Sequence, residues 1–393
     1  MTGLKSPQER FIMSIDSKNY INAYPVGKRA LDILRLLGGC PATSFHEGLV
    51  SRRIVDILDA SKIDYRVDMY GNIIARVDGN LEAESESLPI AFVAHMDHPG
   101  FEVVRYEEEL PIATSLGGVP LASITKGANA FYFDEKGNRF KCELEPIPGD
   151  QNELLVKSSV LPPVGAPIVF ALDDFSISED ILRMRAMDDL AGCAAIIASL
   201  EELKNTPSAS EVYGVFTRAE EVGLIGARLL SLEKTLPQNT FVVSVETSSI
   251  IPGVTQGEGP VIRTGDASYT FNSEAEQILI MGREAIKSSD SDYKCQRQLM
   301  SAGSCEASAF AVNGYRTTGI AFPLGNWHNA TTTIRDPNGG VGDEYISVYD
   351  FIGGVRLIES SARNVATRNN SPLPSRYRTV PEEQKMRLTS TSD

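Results

Sequence analysis

The sequence is poor in cysteine, histidine and tryptophan, and it contains no long apolar run. Its five cysteines are scattered and form no Cys-x-x-Cys pair, which argues against a disulfide framework and for reduced thiols. No stretch approaches about 18 consecutive apolar residues, so no membrane-spanning helix is predicted. The N-terminal stretch also lacks the apolar core of a secretory signal. These absences together predict a cytoplasmic protein.

Basic residues are in the minority as well. The 37 lysines and arginines face 52 aspartates and glutamates, which gives a formal net charge of −15. Because nucleic acids and anionic membranes attract a basic face, we expect neither as a partner. The hydrophobic fraction of 42% over 393 residues is ordinary for a globular protein. This length suggests two domains.

Two textures alternate along the chain. Residues 101–183 contain short β-like runs broken by glycine and proline, which predicts a small all-β, barrel-like domain. The flanking residues 1–100 and 184–366 alternate helical patterns with short buried strands. We therefore predict an α/β domain with a mixed sheet and helices on both faces, split by the β insertion. The polar tail, 367–393, is expected to be disordered.

The first chemically suggestive motif is the stretch AHMDHPG, where His95 ends a buried-strand pattern. Asp97, two residues on, can share a face with His95. Its carboxylate could then accept the second imidazole N–H and fix the tautomer for metal binding. Taken alone, the motif is more often a histidine in a turn beside an acid.

Two acidic pairs follow at places where helices are predicted to start. Asp188-Asp189 could be a helix cap, but a carboxylate there could also bridge two cations through its two oxygens. Glu220-Glu221 follows a predicted strand at 212–217, and adjacent carboxylates repel unless a cation or a proton intervenes. A metal hydrolase can use one such glutamate as ligand and the other as base.

The last two candidates are Glu246, at the end of the apolar strand pattern 241–245, and His328 in the triplet Trp-His-Asn. Neither is informative alone. All the motifs taken together indicate a metal site more specifically than any one of them, because residues with nitrogen or oxygen ligand atoms recur at strand ends and helix starts. Such a set suits two zinc-like divalent ions, and the absence of cysteine leaves zinc, cobalt and manganese possible. The candidate ligands are His95, Asp188, Glu221, Glu246 and His328.

The order of these motifs resembles that of the glutamyl/tetrahedral aminopeptidase (cellulase M-like) family of co-catalytic dinuclear zinc metallopeptidases. The matching stretches are AHMDHPG, MDDLAGC, TRAEEVGLIGA, SVE and WHN, within about residues 25–365. Ser44-Phe45-His46-Glu47 stands where the family has an early Ser-Gly-x-Glu. The family also places its β insertion between the first two motifs. Departures are His98-Pro99 in place of the family's glutamate, Leu190 in place of arginine, and Glu246 where aspartate is commoner.

The resemblance implies a dinuclear metal-dependent aminopeptidase that acts on peptides and assembles as a homo-oligomer. Glu220 would be the general base for a water activated by the metals, and Asp97 would orient His95. The resemblance assigns two divalent ions, with zinc the first choice, to two ligand sets that share one residue. These are His95 with Glu246, Glu221 with His328, and Asp188 as the bridge.

Two other functions fit the same motifs. A deacylase or dipeptidase acting on N-acyl amino acids or other small amides would use the same centre with a different substrate. An inactive peptide-binding or scaffold protein is the second alternative. Retention of both Glu220 and Glu221 beside a complete ligand set argues against loss of activity.

Overall fold

The computed structural model describes residues 17–80, 87–147, 149, 152–370 and 376–392. Most of the N-terminal segment 1–25 therefore lies outside the described residues. The helices, α1 to α9 in chain order, are Ser17–Ala23, Pro25–Gly38, Gly48–Ala60, Met187–Asn205, Ile225–Leu232, Ser273–Ser289, Glu306–Val312, Val348–Arg363 and Glu382–Ser390.

The strands fall into three groups along the chain. Strands β1 to β3, before the β-rich middle, are Asp64–Val67, Ile73–Val77 and Ile90–His95. Strands β4 to β11 are Gly100–Glu107, Leu110–Leu116, Ala128–Phe133, Arg139–Pro146, Glu153–Lys157, Pro167–Phe170, Ser176–Ser178 and Ile181–Met184. Strands β12 to β17 are Val212–Thr217, Phe241–Ser249, Val261–Arg263, Gln296–Gln298, Arg316–Leu324 and Glu344–Ser347.

The central element is an eight-stranded mixed sheet with the order β1-β2-β12-β3-β13-β16-β14-β15. Its middle strands β12, β3, β13 and β16 run parallel to one another. The carboxyl ends of these four strands therefore meet at one edge of the sheet, which is where α/β folds place their sites. β1, β2 and β14 add antiparallel pairings on the two sides.

Helices cover both faces of this sheet. The larger core packs α2, α4 and α8 against one face, and α4 is buried almost all round because its residues 190–198 are mostly alanine, isoleucine and leucine. On the other face, Phe310 of α7 and Leu230 of α5 pack against the valines of β3 and β12. The predicted α/β architecture, with helices on both faces, is confirmed.

The β-rich middle of the chain contains a closed barrel with the order β4-β5-β8-β7-β6-β9. All its pairings are antiparallel, and it encloses a core of its own that includes Phe101, Tyr132 and Ile168. Closure removes the exposed strand edges that an open sheet of this size would present. The predicted small barrel is thus confirmed as part of the fold.

The exact domain limits stay a prediction. The barrel strands lie within 100–170, whereas β10 and β11, which the range 101–183 also includes, pair with each other and with β17 in a three-stranded sheet. That small sheet brings the chain back from the barrel to the start of α4. Its strands are short and partly exposed, so their sequence pattern does not distinguish them from barrel strands.

The C-terminal tail differs from the disorder expected for it. Glu382–Ser390 forms helix α9, whose residues are all exposed. Glu382 and Glu383 lie in its first turn and Arg387 lies in its last turn. Charges placed in this way interact favourably with the helix dipole and stabilise the helix although no side chain is buried. Among the helices in the described ranges, none combines the length and apolar character needed to cross a bilayer.

Asp350, in the first turn of α8, illustrates how the core handles a buried acid. Its carboxylate accepts the N–H groups of Gly257 and Gly259, at 2.8 and 2.7 Å. Burial raises the pKa of Asp350 from 3.8 to about 7. In the pH window between these values the folded chain holds a proton that the unfolded chain releases. The contribution of Asp350 to stability is therefore present below about pH 4 and is lost as the pH rises through about 7.

Asp350→Asn should remove this pH dependence, because an amide does not titrate. Between about pH 5 and 6.5 the free energy of unfolding of the wild type is expected to fall by about 1.4 kcal/mol per pH unit relative to the variant. Urea titrations at several pH values measure the two slopes. Glu383→Gln, on an exposed residue of α9, serves as control. Parallel slopes for wild type and Asp350→Asn would contradict the interpretation.

Candidate metal centre

The parallel strand ends bring the predicted ligands to one place. His95 is the last residue of β3, and Glu246 lies in the adjacent strand β13. Glu221 follows β12, and His328 lies in the short 3-10 turn Trp327–Asn329 after β16. Asp188 comes from the start of α4, which packs over the same strands. Five residues that are far apart in sequence thus share one edge of the sheet.

The donor atoms form three compact groups: one contains His95, Glu220 and Glu221, and the other two have Asp188 in common. Donor atoms of His95, Asp188 and Glu246 lie within 4.8 Å of one another, as do those of Asp188, Glu221 and His328. Asp188 Oδ1 is 3.3 Å from His95 Nε2, and Asp188 Oδ2 is 3.9 Å from His328 Nε2. Glu221 Oε2 is 3.2 Å from His328 Nε2. Asp188 therefore lies between the two imidazoles and directs one oxygen to each.

The donor set suits divalent cations. Asp188 Oδ1 and Glu221 Oε1 are buried and have no hydrogen-bond partner in the protein. Buried anionic oxygens without partners are costly, since neither water nor a donor compensates for the lost hydration. Imidazole nitrogen and carboxylate oxygen are the ligands that zinc, cobalt and manganese accept. These residues could hold such ions.

The remaining ring nitrogens of both histidines meet backbone carbonyls. His95 Nδ1 lies 2.9 Å from the carbonyl oxygen of Asp97, and His328 Nδ1 lies 2.8 Å from that of Gly118. A carbonyl can only accept, so Nδ1 of each ring carries a proton and Nε2 is the nitrogen that faces the centre. Gly118 belongs to the loop after barrel strand β5, so the barrel itself sets the tautomer of His328.

Asp97 lies at the predicted place, but its main contacts are with another part of the centre. Its carboxylate accepts the N–H groups of Glu220 and Glu221 at 2.9 and 3.1 Å, and the hydroxyl of Ser44 at 2.6 Å. The distance from Asp97 Oδ1 to His95 Nδ1 is longer, 3.6 Å. Asp97 therefore fixes the backbone of the glutamate pair, while its carbonyl orients His95.

A second buried carboxylate, that of Glu47, supports the same loop. Glu47 Oε1 accepts the N–H of Ala219 at 3.0 Å, and Oε2 accepts from Arg218 Nε at 2.8 Å. Ala219 has a φ of 54°, a left-handed conformation that a non-glycine residue adopts only at a cost. The hydrogen bonds to Glu47 offset that cost and hold Glu220 and Glu221 at the mouth of the centre.

Glu344, the first residue of β17, connects the loop of Asp188 with the turn of His328. Its Oε2 accepts the N–H groups of Met187 and Asp188 at 2.8 and 3.0 Å. Its Oε1 accepts the N–H of His328 at 2.7 Å, where His328 has a φ of 55°. Sequence reasoning missed Glu344, because an acid that begins a short strand carries no motif of its own.

Glu306 is the other acidic residue that sequence reasoning missed. It is fully buried at the start of α7 and accepts a hydrogen bond from Thr217 Oγ1 at 2.5 Å. Ser244 Oγ lies 3.0 Å from Glu246 Oε1 and 3.4 Å from Glu306 Oε2. The Glu246 side chain is therefore held in a polar network that extends away from the centre.

His98, at the position where the family carries glutamate, is part of the support. Its Nδ1 lies 2.7 Å from the carbonyl oxygen of Asp188, and its Nε2 lies 3.1 Å from Asn329 Oδ1. The His98 ring thus links the backbone of Asp188 to Asn329, the residue that follows His328. A second departure, Leu190 in α4, is buried in the main hydrophobic core.

Burial and like charge dominate the electrostatics. Burial, together with the neighbouring Glu221 and Glu246 carboxylates, raises the pKa of Glu220 well above its usual value. Burial alone would lower the pKa of His95, but the carboxylates of Glu220 and Asp188 raise it well above the ordinary range. Both shifts reflect a concentration of acids that attracts positive charge.

The centre opens into a cavity of about 460 Å³. Trp327 stacks on the ring of His328, with the centroids 3.5 Å apart, and forms part of the wall. Met300 and residues 302–304 line another part, and two arginines, Arg228 and Arg263, also face the cavity. The space is sufficient for a small ligand or the end of a peptide.

Comparison with known proteins identifies similar peptide-bond hydrolases. Residues 160–338 match the family model described as M42 glutamyl aminopeptidase, and the resemblance deduced from the motif order is thereby confirmed. Over 329 residues the chain is 25% identical to a protein of Acetivibrio thermocellus whose given name assigns it provisionally to the aminopeptidases. That alignment covers 79% of this chain and 96% of the relative. The prediction of a peptide-bond hydrolase is confirmed as well.

Solved structures share the fold at lower identity. A dodecamer named PhTET1-12s superposes with a TM-score of 0.70 at 23% identity, covering 84% of this chain and 98% of that one. The TET1 peptidase of Pyrococcus horikoshii, reported to assemble into a tetrahedron or a large octahedral shell, gives 0.69 at 22% identity, with 85% and 99% covered. An aminopeptidase of Desulfurococcus kamchatkensis gives 0.70 at 18%, with 86% and 95% covered.

Glu344→Gln should weaken divalent-ion binding. The amide keeps one accepting oxygen, so the N–H groups of the Asp188 loop and of His328 can no longer all be satisfied. Loss of a residue that orients ligands typically lowers metal affinity about 10- to 100-fold. Calorimetric titration of the metal-free chain with Zn²⁺ or Mn²⁺ measures the change. Glu107→Gln, on the exposed end of β4, is the control, and unchanged affinity in Glu344→Gln would refute the assignment.

Proposed function

We propose that the chain is a dinuclear metal-dependent aminopeptidase that removes N-terminal residues from peptides. The observation that carries the proposal is the pair of donor groups that share Asp188 and face one cavity. Glu220 lies at the same place, with its Oε2 3.9 Å from His95 Nε2. A shared carboxylate between two imidazole-carboxylate sets suits two ions better than one.

In this proposal His95 and Glu246 bind one ion, Glu221 and His328 bind the other, and Asp188 bridges them. Zinc is the first choice, and cobalt or manganese would fit the same donors. The zinc-loaded wild type is expected to hold two ions per chain, and His328→Ala one. Metal analysis of the dialysed proteins tests the assignment, and two tightly held ions in His328→Ala would refute it.

The bound ions would supply Lewis-acid chemistry, lowering the pKa of a water molecule and polarising the scissile carbonyl. Glu220 is the general base, which takes a proton from water and passes it to the leaving amine. Asp97 and Glu47 fix the backbone on either side of Glu220.

The known proteins that the chain resembles favour an aminopeptidase over a deacylase, because the matched family model and the relative from Acetivibrio thermocellus are both named for aminopeptidases. A deacylase acting on N-acyl amino acids would use the same centre with a different substrate, so the deacylase is the second candidate.

We also propose that the chain forms a homo-oligomer, since the similar TET1 structures are assemblies. Light scattering of the purified chain tests this, and a monomer at micromolar concentration would refute it. A reducing compartment such as the cytoplasm agrees with the five free cysteines. No nucleic acid or membrane partner is proposed.

Glu220→Gln should strongly slow hydrolysis while metal binding persists, since the amide cannot accept the proton. We expect kcat to fall about 100- to 10,000-fold, as for other general bases. Aminoacyl p-nitroanilides and N-acyl amino acids, assayed with added zinc, cobalt or manganese, give both the activity and the substrate class. Glu233→Gln, on a glutamate outside the cavity lining, is the control.

Full activity in Glu220→Gln would overturn the role of Glu220 as base. Cleavage of the acylated substrates alone would favour the deacylase. A metal-loaded wild type that binds peptides and cleaves none of these substrates would point to the inactive binding protein.

A further inference from the structure

The turn that carries His328 has an unusual backbone. Asn326, His328 and Asn329 have φ angles of 53°, 55° and 61°. A residue other than glycine adopts this left-handed conformation only at a cost, so contacts outside the turn have to stabilise it. The direction in which the imidazole of His328 points therefore depends on the groups that surround the ring.

Three residues contact or approach that ring. Gly118 accepts from Nδ1, and a Cβ built on Gly118 would lie only 2.9 Å from Nδ1, so a residue with a side chain would not fit there. The centroid of the His98 ring lies 6.4 Å away in an edge arrangement. The indole of Trp327 covers a face of the imidazole, with an angle of 25° between the two planes. Nε2 is left to face the centre, where Glu221 Oε2 lies 3.2 Å away.

Trp327 connects this ring to the main hydrophobic core. Its side chain is partly buried and packs against that core, and it also lines the cavity of the centre. The terminal torsion of a histidine side chain has broad minima, so a hydrogen bond at Nδ1 alone leaves the ring free to tilt. A rigid indole that is anchored in the core restricts this motion. The stack therefore determines the plane of the His328 ring.

We propose that Trp327 is a positioning residue that raises the affinity for the ion assigned to His328 and Glu221. The fixed ring loses less freedom when Nε2 binds a cation, and such preorganisation strengthens binding. The face of the indole also attracts the positive charge that the imidazole gains from the cation. This role rests on the proposed function, because it requires the dinuclear centre, but it is independent of the substrate.

Calorimetric titration of the metal-free chain with Zn²⁺ measures this effect. In Trp327→Leu the affinity for one of the two ions should fall about 10-fold, as for other residues that orient ligands. Trp327→Phe retains a ring that can stack, so its affinity should stay within about threefold of that of the wild type. Tyr65→Leu is the matched control, because Tyr65 packs on the same core but does not line the cavity.

Fluorescence gives a second measurement that needs no turnover. Trp327 is the only tryptophan of the chain, so selectively excited indole emission comes from this position alone. Zn²⁺ is a closed-shell ion without redox chemistry, so a change in emission would come from the stacked imidazole when it binds the ion. We expect a saturable change in the wild type that accompanies the binding of one ion. His328→Ala should bind its remaining ion without that change.

The outcomes separate this role from the proposed function. Two ions bound equally tightly by wild type and Trp327→Leu would overturn the role of Trp327 and leave the metal centre intact. The same change in emission in His328→Ala would also overturn it, as would an equal loss of affinity in Tyr65→Leu. Selective weakening of one ion in Trp327→Leu, in a chain that cleaves no peptide, would support the role and refute the peptidase. A wild type that binds no ion would refute both.

Discussion

The structure around the centre depends on buried carboxylates that accept backbone N–H groups. Glu344 is the main one, because it joins the loop of Asp188 to the turn of His328, two segments far apart in the chain. Asp97 does the same for Glu220 and Glu221. A buried anion needs donors, and a backbone in an unusual conformation has donors that no helix or strand uses. Each group thus satisfies the other, and the proposed ligands are positioned as a result.

This arrangement divides the acids into two kinds. Asp97, Glu47 and Glu344 have their oxygens occupied by N–H donors, so they hold the loops in place. Asp188 and Glu221 instead keep an oxygen without a partner, directed into the centre. The negative charge of the first kind of acid is stabilised by backbone N–H groups. The negative charge of the second kind remains available for bound cations.

The sequence allowed much of the fold and of the centre to be predicted. The strand that ends at His95 is a continuous apolar run, and a mostly apolar run precedes Glu246 within β13. Such runs in an α/β pattern indicate parallel strands with a site at their carboxyl ends. The short β-like runs of residues 101–183 predicted the barrel, and the motif order added a proposed pairing of the ligands. Glu344 and Glu306 could not be found in this way. Their importance depends on contacts with residues more than 50 positions away, and no local pattern records such contacts.

The helical tail was missed for a different reason. Residues 382–390 bury nothing, so no hydrophobic periodicity marks the helix. Local charge placement is a weaker signal than packing and is easily hidden by a polar composition. Hydrophobic periodicity does identify helices in the rest of the chain, because those helices pack against a large apolar core.

The contact between His328 Nδ1 and the carbonyl of Gly118 makes the barrel more than an attached module. A protein engineer who replaced the barrel with another insertion would have to provide a carbonyl at the same point. Without it, the imidazole could carry its proton on either nitrogen, and half of the centre would lose its defined lone pair. The barrel and the turn of His328 are therefore coupled through this one hydrogen bond.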